Sequence, residues 1–189
     1  MTDDIKKRLD VVLVAGGKYH DIDFARLELL KLLAEDDRIR TRVYEDYSNL
    51  HAISNADFLI TYTCDVRPTL EQQKVLRDFV ANGKRWLALH GTNSILQFLS
   101  DGRVDCPRVA PIFMETLGSQ FLSHPPIEPY TVTVADGDHH LVEGVEPFET
   151  NDELYLMETH GELHVLLETE FEGNTPGFVE ENWEKTKVP

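Results

Sequence analysis

Five side chains with proton-transfer or metal-binding chemistry recur at junctions of this sequence: His20, His90, His124, His139 and Glu153. Imidazole exchanges a proton near neutral pH and ligates borderline divalent metals, so such a set suits acid–base catalysis or a metal centre. His90 is the most telling of them. It ends the run Arg85-Trp86-Leu87-Ala88-Leu89-His90-Gly91-Thr92-Asn93, a buried-strand pattern entering a small-residue turn, with a short apolar helix expected beyond. Open α/β sheets present reactive side chains at such junctions, on the carboxyl edge of their strands. Hydrolases that attack through serine or cysteine place the nucleophile there. An imidazole in that position points to proton transfer or metal binding instead.

Two more loops reach the same edge. Gly16-Gly17-Lys18-Tyr19-His20-Asp21 follows the first apolar run, and Cys64, Asp65 and Arg67 follow the third. Histidines at the ends of two parallel strands, His20 and His90, weigh more than either alone. Tyr19, Thr92 and Asn93 are candidate substrate contacts. The Gly16-Gly17 pair completes neither a dinucleotide nor a Walker pattern, and reads as a turn that lets backbone pass close by. Thiol catalysis is disfavoured, because Cys64 follows the third strand rather than the elbow. Ser94 is expected inside the helix after His90, with the wrong geometry for a Ser-His dyad. His124, His139 and Glu153 come from Ser123-His124-Pro125, Asp138-His139-His140 and Asp152-Glu153-Leu154-Tyr155. Four imidazoles (His20, His90, His124, His139) could hold a zinc-like divalent ion, although no local metal motif is present. His51, His160 and His164 read as ordinary surface or strand residues.

The elements needed to position these groups are legible. Val11-Val12-Leu13-Val14-Ala15 is a continuous apolar run, as in a parallel strand buried on both faces. Asp21 and Asp23 precede a helix whose expected apolar face is Phe24, Leu27, Leu30 and Leu33. Residues 41–44 read as an edge strand, and residues 57–62 as the third strand. Thr69 and Gln72 form a capping-box pattern ahead of a helix carrying Val75, Leu76, Phe79 and Val80, which Asn82-Gly83 ends. Residues 86–89 are the fourth strand. This alternation implies a three-layer, doubly wound, mostly parallel α/β sheet. Residues 101–111 read as a surface excursion. Residues 130–134, 153–157 and 164–167 are short strand candidates, expected beside the sheet and partly antiparallel.

Composition bounds the class. The chain has 189 residues and a formal net charge of −16, with 41% hydrophobic and 28% charged residues. That length suits one domain with a sizeable core. Strong acidity argues against a nucleic-acid partner. A polar start and a first apolar run too short for a signal peptide or a membrane span give no targeting signal. Two cysteines outside any Cys-x-x-Cys pattern fit a reducing cytoplasm.

Together, the glycine-rich first loop, the Leu89-His90-Gly91 elbow, Ser123-His124-Pro125, Asp138-His139 and Asp152-Glu153-Leu154-Tyr155 resemble ThuA-like (trehalose utilization) proteins over nearly the whole chain. The resemblance implies a flavodoxin-like, class I glutamine amidotransferase-like fold whose elbow lacks the amidotransferase cysteine. It implies a role in carbohydrate metabolism, on disaccharides and their keto derivatives, and a pocket of His20, His90, His124, His139, Glu153 and Tyr155. Where similar proteins carry Asp-His-Pro, this chain has Asp138-His139-His140. They also continue past Lys187-Val188-Pro189, so residues 1–189 read as a single domain short at its carboxyl end. A sheet edge left open there would favour homo-oligomers.

Three functional classes follow. In the first, the chain is an isomerase- or lyase-type enzyme on a keto-sugar: His90 is the base, His20 or His124 the acid, and Glu153 orients an imidazole or a metal. In the second, it is a non-catalytic sugar-binding partner of a sugar oxidoreductase, with Tyr19, Tyr62 or Trp86 stacking on the ligand. A hydrolase or amidotransferase would require glutamine hydrolysis dependent on Cys64.

Overall fold

The computed structural model describes residues 7–189. The first six residues, on which part of the targeting reading rests, lie outside the described residues. The chain divides into two compact units. One unit holds the chain up to Ile95 together with Arg108–Leu117, and the other holds Leu96–Pro107 with Gly118–Pro189.

The first unit is the doubly wound sheet. Its strands are β1 (Leu9–Gly17), β2 (Ile39–Tyr44), β3 (Phe58–Cys64) and β4 (Arg85–Leu89). They run parallel in the order β2-β1-β3-β4. β1 lies in the middle, and Val11, Val12, Leu13, Val14 and Ala15 are all buried, as their unbroken apolar run requires. Alternate residues of β1 feed opposite cores. Val11, Leu13 and Ala15 pack towards α1 (Ile22–Leu33), through Ile22, Leu29, Leu30 and Leu33. Val12 and Val14 pack with Ile53, Leu76, Phe79, Phe113 and Met114, from α2 (Leu50–Asn55), α3 (Leu70–Ala81) and α4 (Pro111–Leu117).

The helix starts carry the expected caps. The Asp21 carboxylate accepts the Phe24 amide at 3.0 Å, and Thr69 and Gln72 close a reciprocal capping box on α3. The buried face of α1 differs from expectation. Leu30 and Leu33 pack inward, but Phe24 and Leu27 are 62% and 52% exposed. At about 100° per residue, Ile22, Leu29, Leu30 and Leu33 share one stripe, and Phe24 and Leu27 fall on the far side. α2 lies between β2 and β3.

The second unit is built of antiparallel strands. β8 (Glu128–Val134), β9 (Phe148–Asp152), β11 (Leu167–Asn174) and β12 (Asn182–Val188) form a sheet in the order β12-β11-β8-β9. β7 (Ser119–Ser123) pairs with β10 (Leu156–Thr159), and β5 (Gln97–Phe98) with β6 (Val104–Asp105). These strands therefore form sheets of their own rather than lengthening the parallel one. Two expected strands shift: Glu153 and Tyr155 lie in the connection between β9 and β10, and His164 lies ahead of β11. β12 runs to Val188, which is buried.

Candidate functional site

The carboxyl edge of the parallel sheet carries two of the histidines named from sequence, His20 and His90. His20 follows β1, and its Nδ1 donates to the Lys18 carbonyl at 3.3 Å. His90 follows β4. The two rings meet edge to face, with centroids 4.4 Å apart. Tyr62, near the end of β3, stacks on His90 at 5.8 Å with an interplanar angle of 21° and meets His20 edge-on at 6.3 Å. Three neighbouring strands thus supply one ring each. An open cleft of about 350 Å³ borders His20, lined also by Gly16, Gly17, Asp21, Arg26 and Glu45.

The backbone at this edge is unusual. Among the described residues, the non-glycine residues with positive φ are Tyr19 (70°), Asp65 (54°) and His90 (46°). Each lies just past the end of β1, β3 or β4. Left-handed backbone costs an L-residue roughly 1–3 kcal/mol, and it persists where surrounding structure enforces it. Here the enforcement is visible. A Cβ on Gly16 would lie 1.9 Å from the Glu45 carbonyl oxygen, and one on Gly17 1.9 Å from that of Cys64. The first loop is therefore clamped between its neighbours, which is the close backbone passage read from the glycine pair. The Lys18 amide donates to the Cys64 carbonyl at 3.0 Å, and the Lys18 ammonium pairs with Asp65 at 3.1 Å. Arg67 also pairs with Asp65, at 3.3 Å. The Asp65 carboxylate is only 6% exposed, so it serves as a hub tying the two loops together. It holds the Lys18 ammonium above its ordinary pKa through this hydrogen bond and charge.

The turn after β4 is a single 3-10 turn, His90–Asn93, and not the expected apolar helix. Ser94 lies past its end with extended backbone, and its carbonyl accepts the Asp65 amide at 2.9 Å. Gly91 packs tightly on β3: a Cβ there would meet Cys64 Cβ and the Thr63 carbonyl, each at 3.0 Å. Cys64 is thus a buried thiol packed beneath the elbow. Thr92, named as a substrate contact, turns inward. Its hydroxyl donates to the Leu89 carbonyl at 2.8 Å and lies 3.1 Å from Thr61 Oγ1, which also accepts the Trp86 indole N–H at 2.9 Å. Asn93 is buried as well. Thr92 braces the turn that presents His90, whereas Tyr19 is exposed.

The second unit assembles a group of its own. His124, just past β7, donates from Nδ1 to the Pro125 carbonyl at 2.7 Å, and its Nε2 lies 3.7 Å from a Glu153 carboxylate oxygen. Phe178 meets the ring at 4.9 Å, and Tyr155 stacks at 6.5 Å with an angle of 22°. Tyr155 packs in turn on Phe121 at 4.4 Å. Three residues named from sequence, His124, Glu153 and Tyr155, are therefore neighbours in an aromatic surround.

A family model described as ThuA, trehalose utilisation, matches residues 10–189. The chain belongs to the ThuA family. Solved structures similar to this ThuA-family chain include two ThuA-like proteins. A ThuA-like protein from Bacteroides uniformis ATCC 8492 superposes with a TM-score of 0.71 at 16% identity, covering 96% of this chain and 76% of that one. Another, from Parabacteroides merdae ATCC 43184, gives 0.60 at 16% identity, covering 97% and 76%. At that identity the likeness shows the fold, a flavodoxin-like α/β arrangement with added antiparallel strands. No curated protein matches the chain.

His139, the remaining family position named from sequence, sits elsewhere in the second unit. Its ring lies 4.6 Å from that of His140 and 5.0 Å from that of His164. Sequence reasoning placed His164 among ordinary residues, since nothing local ties it to the Asp138-His139 motif. It also left Asp65 out of the site, although two cations in the loops beside it were a usable signal. No described helix is long and apolar enough to cross a membrane.

Proposed function

We propose that this ThuA-family chain acts on an oxidised (keto) sugar or glycoside by histidine-mediated proton transfer, with no nucleophilic cysteine. The observation that carries this reading is the His20–His90 pair, with rings 4.4 Å apart, beyond the carboxyl ends of β1 and β4. A carbonyl acidifies the neighbouring C–H bond, and an imidazole accepts such a proton efficiently near neutral pH. His90 is the base in this scheme. His20, whose Nδ1–H is held by the Lys18 carbonyl, returns a proton from Nε2 when doubly protonated. Isomerisation and β-elimination both need this apparatus. His124 and Glu153 form a second imidazole–carboxylate pair suited to binding or to acid catalysis. Cys64, buried under Gly91, is poorly placed to attack a substrate. Both free cysteines fit a cytoplasmic setting.

The test is wash-in of solvent deuterium at the carbon next to the carbonyl, followed by NMR on a panel of keto-glycosides and keto-sugars. Wild-type chain is expected to exchange that position, and His90→Ala to lose at least about a hundredfold in rate, the usual contribution of a general base. Equal exchange in His90→Ala and wild type would sink the reading. A second reading, a non-catalytic sugar-binding module, is favoured by the aromatic surround of His124. It requires sugar binding without exchange, weakened by Tyr155→Ala.

His20 and His90 also offer two imidazole donors to a zinc-like ion, which would polarise the substrate carbonyl when bound.

A further inference from the structure

Three of the chain's eight histidines lie together on the surface of the second unit, in a group with no part in the proton-transfer scheme. His139 stands between the other two, with ring centroids 4.6 Å from His140 and 5.0 Å from His164. His164 Nε2 is 2.6 Å from the Asp136 carboxylate, and Asp136 also accepts the Asp138 amide at 3.2 Å. We propose that His139, His140 and His164, backed by Asp136, form a binding site for a borderline-soft divalent cation of the zinc type.

The spacing carries the argument. With zinc–nitrogen bonds of about 2.0–2.1 Å, imidazole rings around a tetrahedral ion stand with centroids about 5 Å apart. The His139–His140 and His139–His164 separations lie near that value, and His139 is the ring common to both pairs. His164 Nε2 faces the Asp136 carboxylate, so Nδ1 is the nitrogen that would meet an ion, and a carboxylate behind a ligating histidine orients the ring and raises its basicity. A net charge of −16 adds a general attraction for cations. Packing alone gives little reason to cluster three imidazoles at the surface, with His140 and His164 exposed and His139 partly so.

His139 brings a cost that doubles as a signature. Its Nδ1 accepts the Leu141 amide at 3.2 Å and so caps the short 3-10 turn His140–Val142. Coordination through Nδ1 displaces that amide. Coordination through Nε2 puts the proton on Nδ1 and displaces it too. Ion binding and the cap therefore exclude one another.

The experiment is calorimetric titration of the chelator-stripped chain with zinc chloride, in a His20→Ala/His90→Ala background that removes the other imidazole pair. One equivalent of zinc is expected to bind in that background. Adding His140→Ala or His164→Ala should weaken it about tenfold or more, and Asp136→Asn about tenfold, the range for a carboxylate behind a ligating histidine. In a ¹⁵N spectrum the Leu141 amide should shift with the same midpoint and stay still when His139→Ala is added. All these substitutions are at polar surface positions, and circular dichroism checks that each variant folds. The site is overturned if the background variant binds no zinc, or if His140→Ala and His164→Ala leave its binding unchanged. Neither outcome bears on the deuterium experiment, which reads the His90 reaction alone.

Discussion

At position 90 the backbone is as informative as the imidazole. With φ at 46°, His90 adopts a left-handed conformation that Gly accepts without strain. His90→Gly relieves roughly 1 kcal/mol of this cost, which the greater freedom of glycine in the unfolded chain largely offsets at about 0.4–1 kcal/mol. Its urea midpoint should therefore stay close to wild type although deuterium wash-in is lost. His90→Val, branched at Cβ, should lower stability by about 2 kcal/mol. A Val variant as stable as the Gly variant would show that the strained backbone is not enforced. The place of His90 was legible because an apolar strand running into Gly91-Thr92-Asn93 marks a strand-end turn. Its left-handed φ was not, since no residue type at Tyr19 or His90 announces it. The partnership of His139 with His164 was equally hidden, because it depends on how β8 and β11 are brought into register.

At the scale of elements, the first loop is fixed by what passes beside it. Gly17 has φ of 108° and would drive a Cβ to 1.9 Å from backbone of β3, whereas a Cβ on Gly83, at φ 77°, meets nothing within 4 Å. Both positions carry a left-handed penalty, so their difference measures the clash. Gly17→Ala is expected to destabilise by about 3 kcal/mol or more and Gly83→Ala by about 1 kcal/mol, read from denaturant midpoints. Comparable losses would mean that conformation alone, without close approach, fixes Gly17. The strands of the parallel sheet and the caps of α1 and α3 were readable because burial on both faces and capping boxes leave strong local patterns. The face of α1 was misread because Phe24 and Leu27 are apolar yet exposed. The tail was harder still. Its strands are short and half exposed, and Glu153 and Tyr155, set in a run with strand character, occupy the connection where side chains project to build the His124 group.

Over the whole molecule, charge sets the pH range of stability. Asp57, Asp101, Asp136 and Glu170 sit below their ordinary pKa values, held there by the Asp10 amide, Arg103, His164 and Lys185 respectively. Such groups bind protons more readily when unfolded, so their contribution is present above about pH 4 and is lost as pH falls through the folded values. Lys18 and Lys187 are raised by Asp65 and Glu168, and burial raises the Tyr47 phenol. Their contribution is full below about pH 10 and is lost as pH climbs through the folded values. Urea midpoints should therefore be highest between about pH 5 and 9 and fall on both sides, with Tyr47→Phe softening the alkaline fall. A midpoint that rises below pH 4 would contradict these assignments. The clamp formed by Gly16, Gly17, Gly91 and the Asp65 hub has a wider consequence. It fixes where a side chain is presented without depending on which one it is, so position 90 works as a socket. New reactivity could be installed there by exchanging one residue, while the strands, caps and cores that hold the socket open stay as they are.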